Sequence, residues 1–503
     1  MKARPYQAHA IEAVRGRFAA GDRSTLAVLA TGLGKTVIFS HLAREASGRV
    51  LVLAHRDELI RQAAEKLREV TGEEAGVEKA DERLPETALY KPRLVVSSVQ
   101  TLQQEARRAK FDPSEFGLLI TDEAHHAVAS SYQSVFAHWM QNPACRHLGV
   151  TATPKRLDRL AMGHVYDSVA VNYGIEWAIQ EGWLVPILQR AVVVEGLDFS
   201  SLPSKAGDFS KADLEKILSE EKVLHATARP TVEVAGDMPT LVFCVNVAHA
   251  KLMAAVLDRY KPGSAAALSG KTPPEERAAT VARFKGGDLQ FLCNCNLFLE
   301  GFDAPNVRAV VMARPTKSVS LYEQVLGRGT RPESGVVDRH AAGTAEQRRQ
   351  AIRRSGKPDM LVLDFVGNSG RHRIVTAQDV LGGRYGEPVR QYARQLAEQK
   401  PADVGDLLDQ AADELAYLEE LADLERRRKI VADRAEYQAR EVSPFAGGPR
   451  QVGGASAAPG EKATEKQVWF LVRRLGWKER HARELGRKQA SAIIGKAREK
   501  GVA

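Results

Sequence analysis

The chain has 503 residues, of which 44% are hydrophobic and 27% are charged, and its formal net charge is +9. This length exceeds one ordinary hydrophobic core, so we expect roughly two to four domains of a soluble globular protein. The start of the sequence lacks an apolar segment of signal-peptide length and no uncharged run reaches about 18 residues, which disfavours secreted and membrane-spanning proteins and favours a cytoplasmic one.

Short apolar runs alternate with helical patterns over residues 1–190. The runs are typical of strands buried on both faces, and the segments between them have helical spacing, as in "DELIRQAAEKLREV". In chain order the runs lie in "TLAVLAT", "GRVLVLAH", "RLVVSSV", "FGLLITDEAH" and "HLGVTATP". This alternation predicts a parallel sheet covered by helices.

A second set of the same kind occupies residues 226–388. It follows a segment at 191–225 that is irregular and then helical, which we interpret as a connector. Its runs lie in "PTLVFCVN", "GSAAALSG", "LQFLCNCN", "VRAVVMARP" and "DMLVLDFVG". The basic segment at 331–359 interrupts this set and is interpreted as a surface excursion. The sequence therefore predicts an α/β protein with two tandem parallel-sheet domains.

The cysteines do not indicate a disulfide framework, because four of them in 503 residues are too few and too scattered. Cys293 and Cys295 form a C-x-C pair, but the sequence has no second pair to complete a zinc site. We interpret both as buried strand residues.

The strand patterns stop after residue 388. Residues 389–442 carry apolar positions at helical spacing on an acidic background, which predicts a helical region that docks or self-associates and offers a surface to a protein partner. These positions are Leu408, Ala411, Leu415, Leu418 and Ala422. Residues 443–462 are rich in Gly, Pro and Ala and predict a flexible linker.

Residues 463–503 predict a small basic helical module that opens with a capping box at Thr464 and Gln467. From position 461 onward, twelve Lys and Arg face five Asp and Glu, a net charge of +7. This asymmetry favours a polyanion partner, with a solvated basic helix as the alternative. Trp469 and Trp477 have the chemistry to stack on bases, but we interpret them as core anchors of the module.

The segment "TGLGKT", residues 31–36, lies between a predicted strand and a predicted helix. Binding a triphosphate requires backbone N–H groups in a tight loop, a lysine for the β- and γ-phosphates and a hydroxyl for Mg²⁺. Four residues meet these needs: Gly32, Gly34, Lys35 and Thr36. The pattern G-x-x-x-x-G-K-[ST] is incomplete, because Leu29 replaces its first glycine. A chance turn is the alternative, which the strand–loop–helix context disfavours.

The segment "LLITDEAHH" supplies the carboxylates that a nucleotide site also needs. Asp122 is suited to hold Mg²⁺ through water, and Glu123 is suited to polarise an attacking water. The alternative is an acidic helix N-terminus. His125 and His126 follow directly, and we interpret them as coupling or packing residues, with a metal pair as the alternative.

These motifs resemble those of the superfamily 2 helicases, the DEAD/DEAH-type nucleic-acid motor ATPases, over roughly residues 1–385. "RPYQAHAI" is similar to their adenine-reading element, "ATGLGKT" to motif I, "TDEAHH" to motif II, "GVTATP" to motif III, "LVFCVNVAHA" to motif IV and "FLEGFDAP" to motif V. The resemblance implies two tandem RecA-like domains that bind ATP with Mg²⁺. It assigns nucleotide binding to Arg4, Gln7, Thr31, Gly32, Leu33, Gly34, Lys35, Thr36, Gly301 and Asp303.

Two further sets of residues follow from the resemblance. "LVLAHRDEL" and "SSVQTL" are similar to the strand-binding motifs Ia and Ib, which implies nucleic-acid contacts by Arg56, Ser98, Gln100 and Thr101. "YEQVLGRGTRP" fits motif VI, which implies that Arg328 and Arg331 neutralise charge on the transferring phosphoryl group, with Arg331 as the arginine finger. ATP would then lie in the cleft between the domains, and its hydrolysis would drive motion along nucleic acid.

Within the superfamily, the motifs look most like those of the bacterial RadD-type DNA-repair helicases, and they also resemble excision-repair and type III restriction helicase subunits. RadD-type proteins continue into a cysteine-rich, zinc-binding C-terminal region, which this sequence lacks. The resemblance implies a helicase or translocase on single-stranded or forked DNA, in repair, recombination or replication. The alternatives are an RNA helicase, the motor subunit of a restriction or defence nuclease complex, and an inactive nucleic-acid-binding scaffold.

Overall fold

The computed structural model describes residues 2–55, 57–80, 82–84, 91–152, 164–198, 204–205, 208–295, 304–368, 386–399, 402–418, 462–473, 490–491 and 494. The chain divides into two units, residues 1–420 and residues 421–503. Both predicted sheets lie in the first unit. Within the ranges just given, no helix has the length and apolar character needed to cross a membrane.

The first sheet is parallel and has seven strands in the described part of the chain. They are β1 (Ser24–Leu29), β2 (Arg49–Ala54), β3 (Gly76–Glu78), β4 (Leu94–Ser98), β5 (Phe116–Asp122), β6 (Arg146–Thr151) and β7 (Ser168–Tyr173). Their spatial order is β3-β4-β2-β5-β6-β1-β7. Every residue of β1 and β2 is buried, as expected for strands covered on both faces.

Helices precede, connect and follow these strands. They are α1 (Pro5–Ala19), α2 (Lys35–Glu45), α3 (Asp57–Thr71), α4 (Val99–Leu102), α5 (Glu105–Arg108), α6 (Ser130–Trp139) and α7 (Ile175–Gln180). The sequence of α3 shows why it forms, because its buried residues recur at helical spacing. These are Leu59, Ile60, Ala63, Leu67 and Val70.

The second sheet resembles the first and has six parallel strands and one short antiparallel strand in the described part of the chain. They are β8 (Ile187–Asp198), β11 (Thr240–Phe243), β12 (Ala265–Leu268), β13 (Phe291–Asn294), β14 (Ala309–Met312), β15 (Met360–Asn368) and the antiparallel β16 (Ala402–Asp403). Their spatial order is β12-β13-β11-β14-β15-β8-β16. The predicted fold class, two tandem parallel-sheet α/β domains, is confirmed.

The remaining elements of the first unit are a hairpin and helices. The hairpin is β9 (Ser204–Lys205) with β10 (Asp208–Phe209). The helices are α8 (Lys211–Leu218), α9 (Glu221–Ala235), α10 (Val247–Tyr260), α11 (Pro274–Gly286), α12 (Val319–Gly329), α13 (Ala345–Arg353), α14 (Glu387–Gln399) and a helix over 404–418.

The segment at 187–225 differs from the expectation, which ended the first domain at residue 190 and placed a connector at 191–225. β8 pairs along its length with β15 and so belongs to the second sheet. The polar Gln189 obscured this strand in the sequence. In the structure Gln189 is buried and donates a hydrogen bond to the Asp364 carboxylate of β15, which makes the burial of an amide acceptable.

The predicted acidic helix docks through part of its apolar face. Leu408 and Ala411 are buried in the core of the first unit, whereas Leu418 is 52% exposed. Ala422 lies outside the described residues.

In the second unit, α15 (Glu465–Arg473) begins with the predicted capping box. The Gln467 N–H donates to Thr464 Oγ1 at 3.3 Å, and the Thr464 N–H donates to Gln467 Oε1 at 2.9 Å. Val468 and Leu471 are buried. The interpretation of Trp469 as a core anchor is wrong, because its side chain is 56% exposed. Trp477 lies outside the described residues.

Candidate active site in the cleft between the two sheets

The predicted phosphate loop runs from β1 to α2. Gly32 and Gly34 have φ angles of 97° and 74°, which residues with a Cβ rarely adopt. Gly34 is the N-cap of α2, so the N–H groups of Lys35 and Thr36 have no partner within the helix. N–H groups at a helix N-terminus form an anion site, and this loop therefore has the geometry to bind phosphate.

The predicted carboxylates stand at the end of β5, beside the loop lysine. Lys35 Nζ lies 3.6 Å from Glu123 Oε1, and both side chains are largely buried. Asp122 Oδ1 accepts a hydrogen bond from the Glu123 N–H at 2.9 Å. Glu123 has a φ of 48°, the only positive φ of a non-glycine residue in the described ranges. Such backbone strain is typical of functional sites.

Two opposing effects set the charge of Glu123. Burial would raise the pKa of its carboxyl, because a buried carboxylate loses its hydration. The charges of Lys35 and Arg328 and the hydrogen bond with His125 outweigh burial and hold the pKa of the Glu123 carboxyl well below its usual range. The Glu123 carboxylate therefore stays ionised at neutral pH and can accept a hydrogen bond from a water molecule.

The second domain brings its arginines against the phosphate loop. Arg328 lies in the last turn of α12 and is buried, and Arg331 follows that helix. A Cβ on Gly327 would lie only 2.3 Å from Thr31 Cβ, so α12 could not approach the loop so closely with any other residue there. A Cβ on Gly32 would lie 3.2 Å from Arg331 Cγ. The two domains are therefore in direct contact at this site.

A cavity of about 720 Å³ lies between the domains and is lined by residues of both. Its volume is within the range of small-molecule sites. Predicted residues that line it are Arg4, Gln7, Thr31, Gly32, Gly34, Lys35, Thr36, Asp122 and Glu123 from the first domain, and Arg328 and Arg331 from the second. The structure thus brings together eleven predicted residues that are up to 327 positions apart in the sequence. Their catalytic and binding roles stay predictions.

The predicted adenine-reading element is tied to the phosphate loop. Gln7 Nε2 donates to the Leu33 carbonyl at 3.0 Å, and Tyr6 donates to the same oxygen at 2.8 Å. Gln7 Oε1 accepts from the Arg4 N–H at 2.9 Å. An amide side chain has two donors and two acceptor sites, so Gln7 retains capacity to hydrogen-bond an adenine edge. Leu33 itself contributes a buried side chain and this carbonyl.

A row of histidines leads from Glu123 toward the predicted strand-binding motifs. His125 Nδ1 lies 3.4 Å from Glu123 Oε2 and 3.1 Å from Thr151 Oγ1, at the end of β6. The His126 ring lies 4.1 Å from the His125 ring and stacks on His55 at 5.2 Å, between centroids. This arrangement agrees with a coupling or packing role for both histidines.

The predicted nucleic-acid residues lie at the other end of this row. Gln100 Nε2 lies 3.1 Å from His55 Nδ1, which connects the row to motif Ib. Ser98 caps α4 by accepting from the Thr101 N–H at 3.1 Å, and their hydroxyls lie 2.7 Å apart. These bonds shape the loop, and contact with nucleic acid stays a prediction. Three predicted site residues lie outside the described residues: Arg56, Gly301 and Asp303.

Asp338 and Glu323 are among the carboxylates at the cleft that sequence reasoning missed. Asp338 lines the cavity from the basic excursion, where no motif marks it. Glu323 lies on α12, where burial raises the pKa of its carboxyl to about 8 against the opposing charge of Lys35. Glu323 lies within the segment that resembles motif VI. Other residues carry that resemblance, so the sequence did not single out Glu323.

The donor set in the cavity suits Mg²⁺. Thr36 offers a hydroxyl and Asp122 a carboxylate, the hard oxygen ligands that Mg²⁺ prefers together with water and substrate phosphates. A bound Mg²⁺ would neutralise charge on phosphate oxygens.

Comparison with known proteins identifies both halves of this cleft. Residues 1–156 match the family "Type III restriction enzyme, res subunit", and residues 221–333 match "Helicase conserved C-terminal domain". The Saccharomyces cerevisiae protein "Putative ATP-dependent helicase IRC3" is 32% identical over 349 residues, which are 65% of this chain and 49% of that protein. The chain thus spans about half the length of this curated relative.

Two solved structures share the fold. The first is a fragment of a "putative HsdR subunit of a type I restriction enzyme" from Vibrio vulnificus, with a TM-score of 0.52, 21% identity, and coverage of 76% of this chain and 67% of that one. The second is Dbp5 of S. cerevisiae bound to RNA and ADP BeF3, with a TM-score of 0.51, 16% identity, and coverage of 79% and 94%. The two-sheet part of the chain therefore has the fold of these structures, and its sequence is similar to the restriction-enzyme helicases and to Irc3.

Proposed function

We propose that this chain is an ATP-dependent DNA helicase or translocase whose hydrolysis site is the cleft between the two sheets. The observation that carries the proposal is the shared cavity, into which the first domain places Lys35 and Glu123 and the second places Arg328 and Arg331. Neither domain alone holds the full set. A site assembled from two domains couples chemistry to their relative movement, which a nucleic-acid motor requires.

Each residue has a distinct task in this proposal. The N–H groups at the start of α2 and the Lys35 ammonium bind the phosphates. Thr36 and Asp122 would hold Mg²⁺, which would neutralise charge on the phosphate oxygens. Glu123, ionised and 3.6 Å from Lys35, orients the attacking water and accepts its proton. Arg331 neutralises the charge that develops on the transferring phosphoryl group, with Arg328 supporting it.

The histidine row gives a physical path from ATP to nucleic acid. It joins Glu123 to Gln100 through His125, His126 and His55, by successive polar and ring contacts. A shift of Glu123 or of Thr151 at the end of β6 would move this stack, and with it the loop that follows β4. We therefore expect nucleic acid bound at that loop to change the rate of hydrolysis.

DNA is favoured as the substrate by the family of residues 1–156, because restriction enzymes act on DNA. The alternative of an RNA helicase is kept, since the core shares its fold with RNA-bound Dbp5. The other alternative is the motor subunit of a restriction or defence complex. It is supported by the match of residues 1–156 to the restriction-enzyme family and by the fold shared with the HsdR fragment. A role in repair, recombination or replication is our proposal for the pathway, on the RadD resemblance.

The test is ATP turnover measured with no nucleic acid, single-stranded DNA, duplex DNA, forked DNA and RNA side by side. We expect single-stranded or forked DNA to stimulate turnover and RNA to leave it near the unstimulated rate. The matched control is Lys35→Ala, which removes the phosphate-binding cation and abolishes turnover with every nucleic acid. Equal stimulation by RNA and DNA would refute the DNA assignment. Turnover that no nucleic acid changes would refute the motor.

A further inference from the structure

The excursion, residues 331–359, which the sequence predicts as a basic surface segment, packs on the chain that leaves the first sheet. It contains a 3₁₀ turn at Asp338–His340 followed by α13. Gly182, just after α7, has a φ of 69°, and a Cβ there would lie 2.8 Å from Arg348 Cβ and 3.0 Å from the Arg349 backbone nitrogen. The backbone at Gly182 and the helix are in direct contact.

Arg348 anchors this contact. Its Nε donates to the Glu181 carbonyl at 2.8 Å, and its Nη2 lies 3.2 Å from the Glu181 carboxylate. Its guanidinium lies 4.1 Å from the centre of the Trp183 ring. Arg348 is only 5% exposed, so its guanidinium has lost most of its hydration and does not belong to a solvated face. The bonds to Glu181 compensate for that loss. Arg349 adds a hydrogen bond to the Gln180 carbonyl.

Trp183 continues the contact into the nucleotide site. Its ring centroid lies 4.8 Å from that of Tyr6, whose hydroxyl donates to Leu33 in the phosphate loop. The Arg4 guanidinium lies 5.8 Å from the Trp183 ring. The anchor of the excursion and the adenine-reading element therefore pack on one buried tryptophan.

Arg4 is held by the excursion as well. Its Nε donates to Asp338 Oδ1 at 2.8 Å, across 334 positions of sequence. Both residues line the cavity together with Gln7. The Arg4 side chain is 28% exposed, so one edge of its guanidinium is bonded to Asp338 while part of its surface stays open.

We infer that the excursion forms the second-domain wall of the base site, and that Asp338 is a positioning residue that orients Arg4 against the purine base of the nucleotide. A guanidinium bonded along its edge keeps its face available for packing on a flat ring. The contact of Arg348 with Trp183 holds the excursion in place. Asp338 thereby stays within hydrogen-bond distance of Arg4. Base recognition thus requires both domains, as phosphate chemistry does. This inference rests on the proposed ATP site.

The test separates the base from the phosphates by using tripolyphosphate with Mg²⁺, which has no base, as a competitive inhibitor of ATP hydrolysis. Asp338→Asn keeps the size of the side chain and removes its charge. We expect it to raise the KM for ATP about fivefold, the effect of losing a partly exposed ion pair, and to leave the inhibition constant of tripolyphosphate unchanged. Asp338→Glu should restore most of the ATP affinity. The control is Asp288→Asn, an exposed carboxylate after α11, which should change neither constant.

Arg348→Lys provides a second variant, because lysine keeps the charge but cannot both stack on Trp183 and bond the Glu181 carbonyl and carboxylate. We expect it to produce the same selective loss of ATP affinity. Equal weakening of ATP and tripolyphosphate by Asp338→Asn would overturn the inference, as would no change in either. If the wild-type protein itself fails to hydrolyse ATP, the proposed function fails first, and this outcome is visible before any variant is compared.

Discussion

Gly327→Ala tests whether the close approach of α12 to the phosphate loop is needed for catalysis. The added Cβ would lie 2.3 Å from Thr31 Cβ, whereas ordinary contact begins at 3.4 Å. The helix must therefore retreat by about 1 Å, and it takes Arg328 and Arg331 with it. A misplacement of about 1 Å in a catalytic group costs on the order of 100-fold in rate, or about 2.7 kcal/mol.

The assay is steady-state ATP turnover at saturating single-stranded DNA, together with ATP affinity and thermal unfolding. We expect turnover to fall about 100-fold with little change in ATP affinity, because Lys35 and the loop N–H groups stay in place. The melting temperature should hold, since the clash is between domains and a slight opening relieves it. Gly329→Ala is different, because its Cβ would lie 1.9 Å from Met360 Sδ within the second domain, and it should destabilise the fold.

Gly16→Ala is the matched control. It lies on the exposed surface of α1, and a Cβ there meets nothing within 4 Å. We expect unchanged turnover and an equal or slightly higher melting temperature, since alanine is favoured over glycine in a helix by roughly 0.5–1 kcal/mol. Wild-type turnover in Gly327→Ala would refute the reasoning, because the arginines would then act without the observed contact.

Four further predictions follow from the site. Glu123→Gln should bind ATP but lose about 100-fold or more of its turnover, measured by nucleotide binding and hydrolysis, and loss of binding would show a structural role instead. Arg331→Lys should lower turnover by about two orders of magnitude at similar ATP affinity, because a point charge does not replace a planar fork, and a fast variant would make Arg328 the finger. His126→Ala should reduce the DNA stimulation of turnover, and His126→Phe should restore it through ring stacking; equal behaviour of the two would exclude a stacking role. For Glu323, the folded pKa of about 8 lies above the ordinary value, so ionisation destabilises the fold as the pH rises from about 4.5 to 8. The melting temperature of Glu323→Gln should therefore exceed that of the wild type by more at about pH 8.5 than at about pH 5. An equal difference at the two pH values would contradict the raised pKa of Glu323.

The ten strands predicted from apolar runs all appear, because a strand buried on both faces must be apolar along its whole length. The strands that were missed are at or near sheet edges, where this constraint is weaker. β7 forms an edge of the first sheet and leaves Val169 56% exposed. β8 contains the polar Gln189, which is acceptable only because Asp364 lies beside it. Nothing in the local pattern reports such a partner 175 positions away.

The residues of the candidate site also fall into a group that the sequence predicts and a group that it does not. Its loop glycines, lysine and carboxylates were predictable, because phosphate and metal chemistry dictates their types and their spacing. The excursion was not, because its basic composition is equally compatible with a solvated surface. Arg348 is distinguished from its neighbours only by burial against Glu181 and Trp183. Asp338 is distinguished only by its bond to Arg4. Both facts depend on tertiary packing and not on local sequence.

The distribution of charge suggests why closure of the cleft and the presence of ATP belong together in the proposed function. The first domain contributes Lys35 with the carboxylates of Asp122 and Glu123, and the second adds two arginines to the same cavity. Asp122 and Glu123 offset part of the repulsion between Lys35 and the approaching arginines. The repulsion that remains is larger in a partly buried site than in water. A triphosphate between them replaces that repulsion with attraction. Hydrolysis and phosphate release remove part of this negative charge, and the balance then shifts back toward separation of the motif VI helix from the phosphate loop. The contacts of Arg348 with Glu181 and Trp183 involve no phosphate, so they are unaffected by this change of charge. On this reasoning the contact of α13 with Glu181 and Trp183 stays fixed while the two arginines approach and retreat.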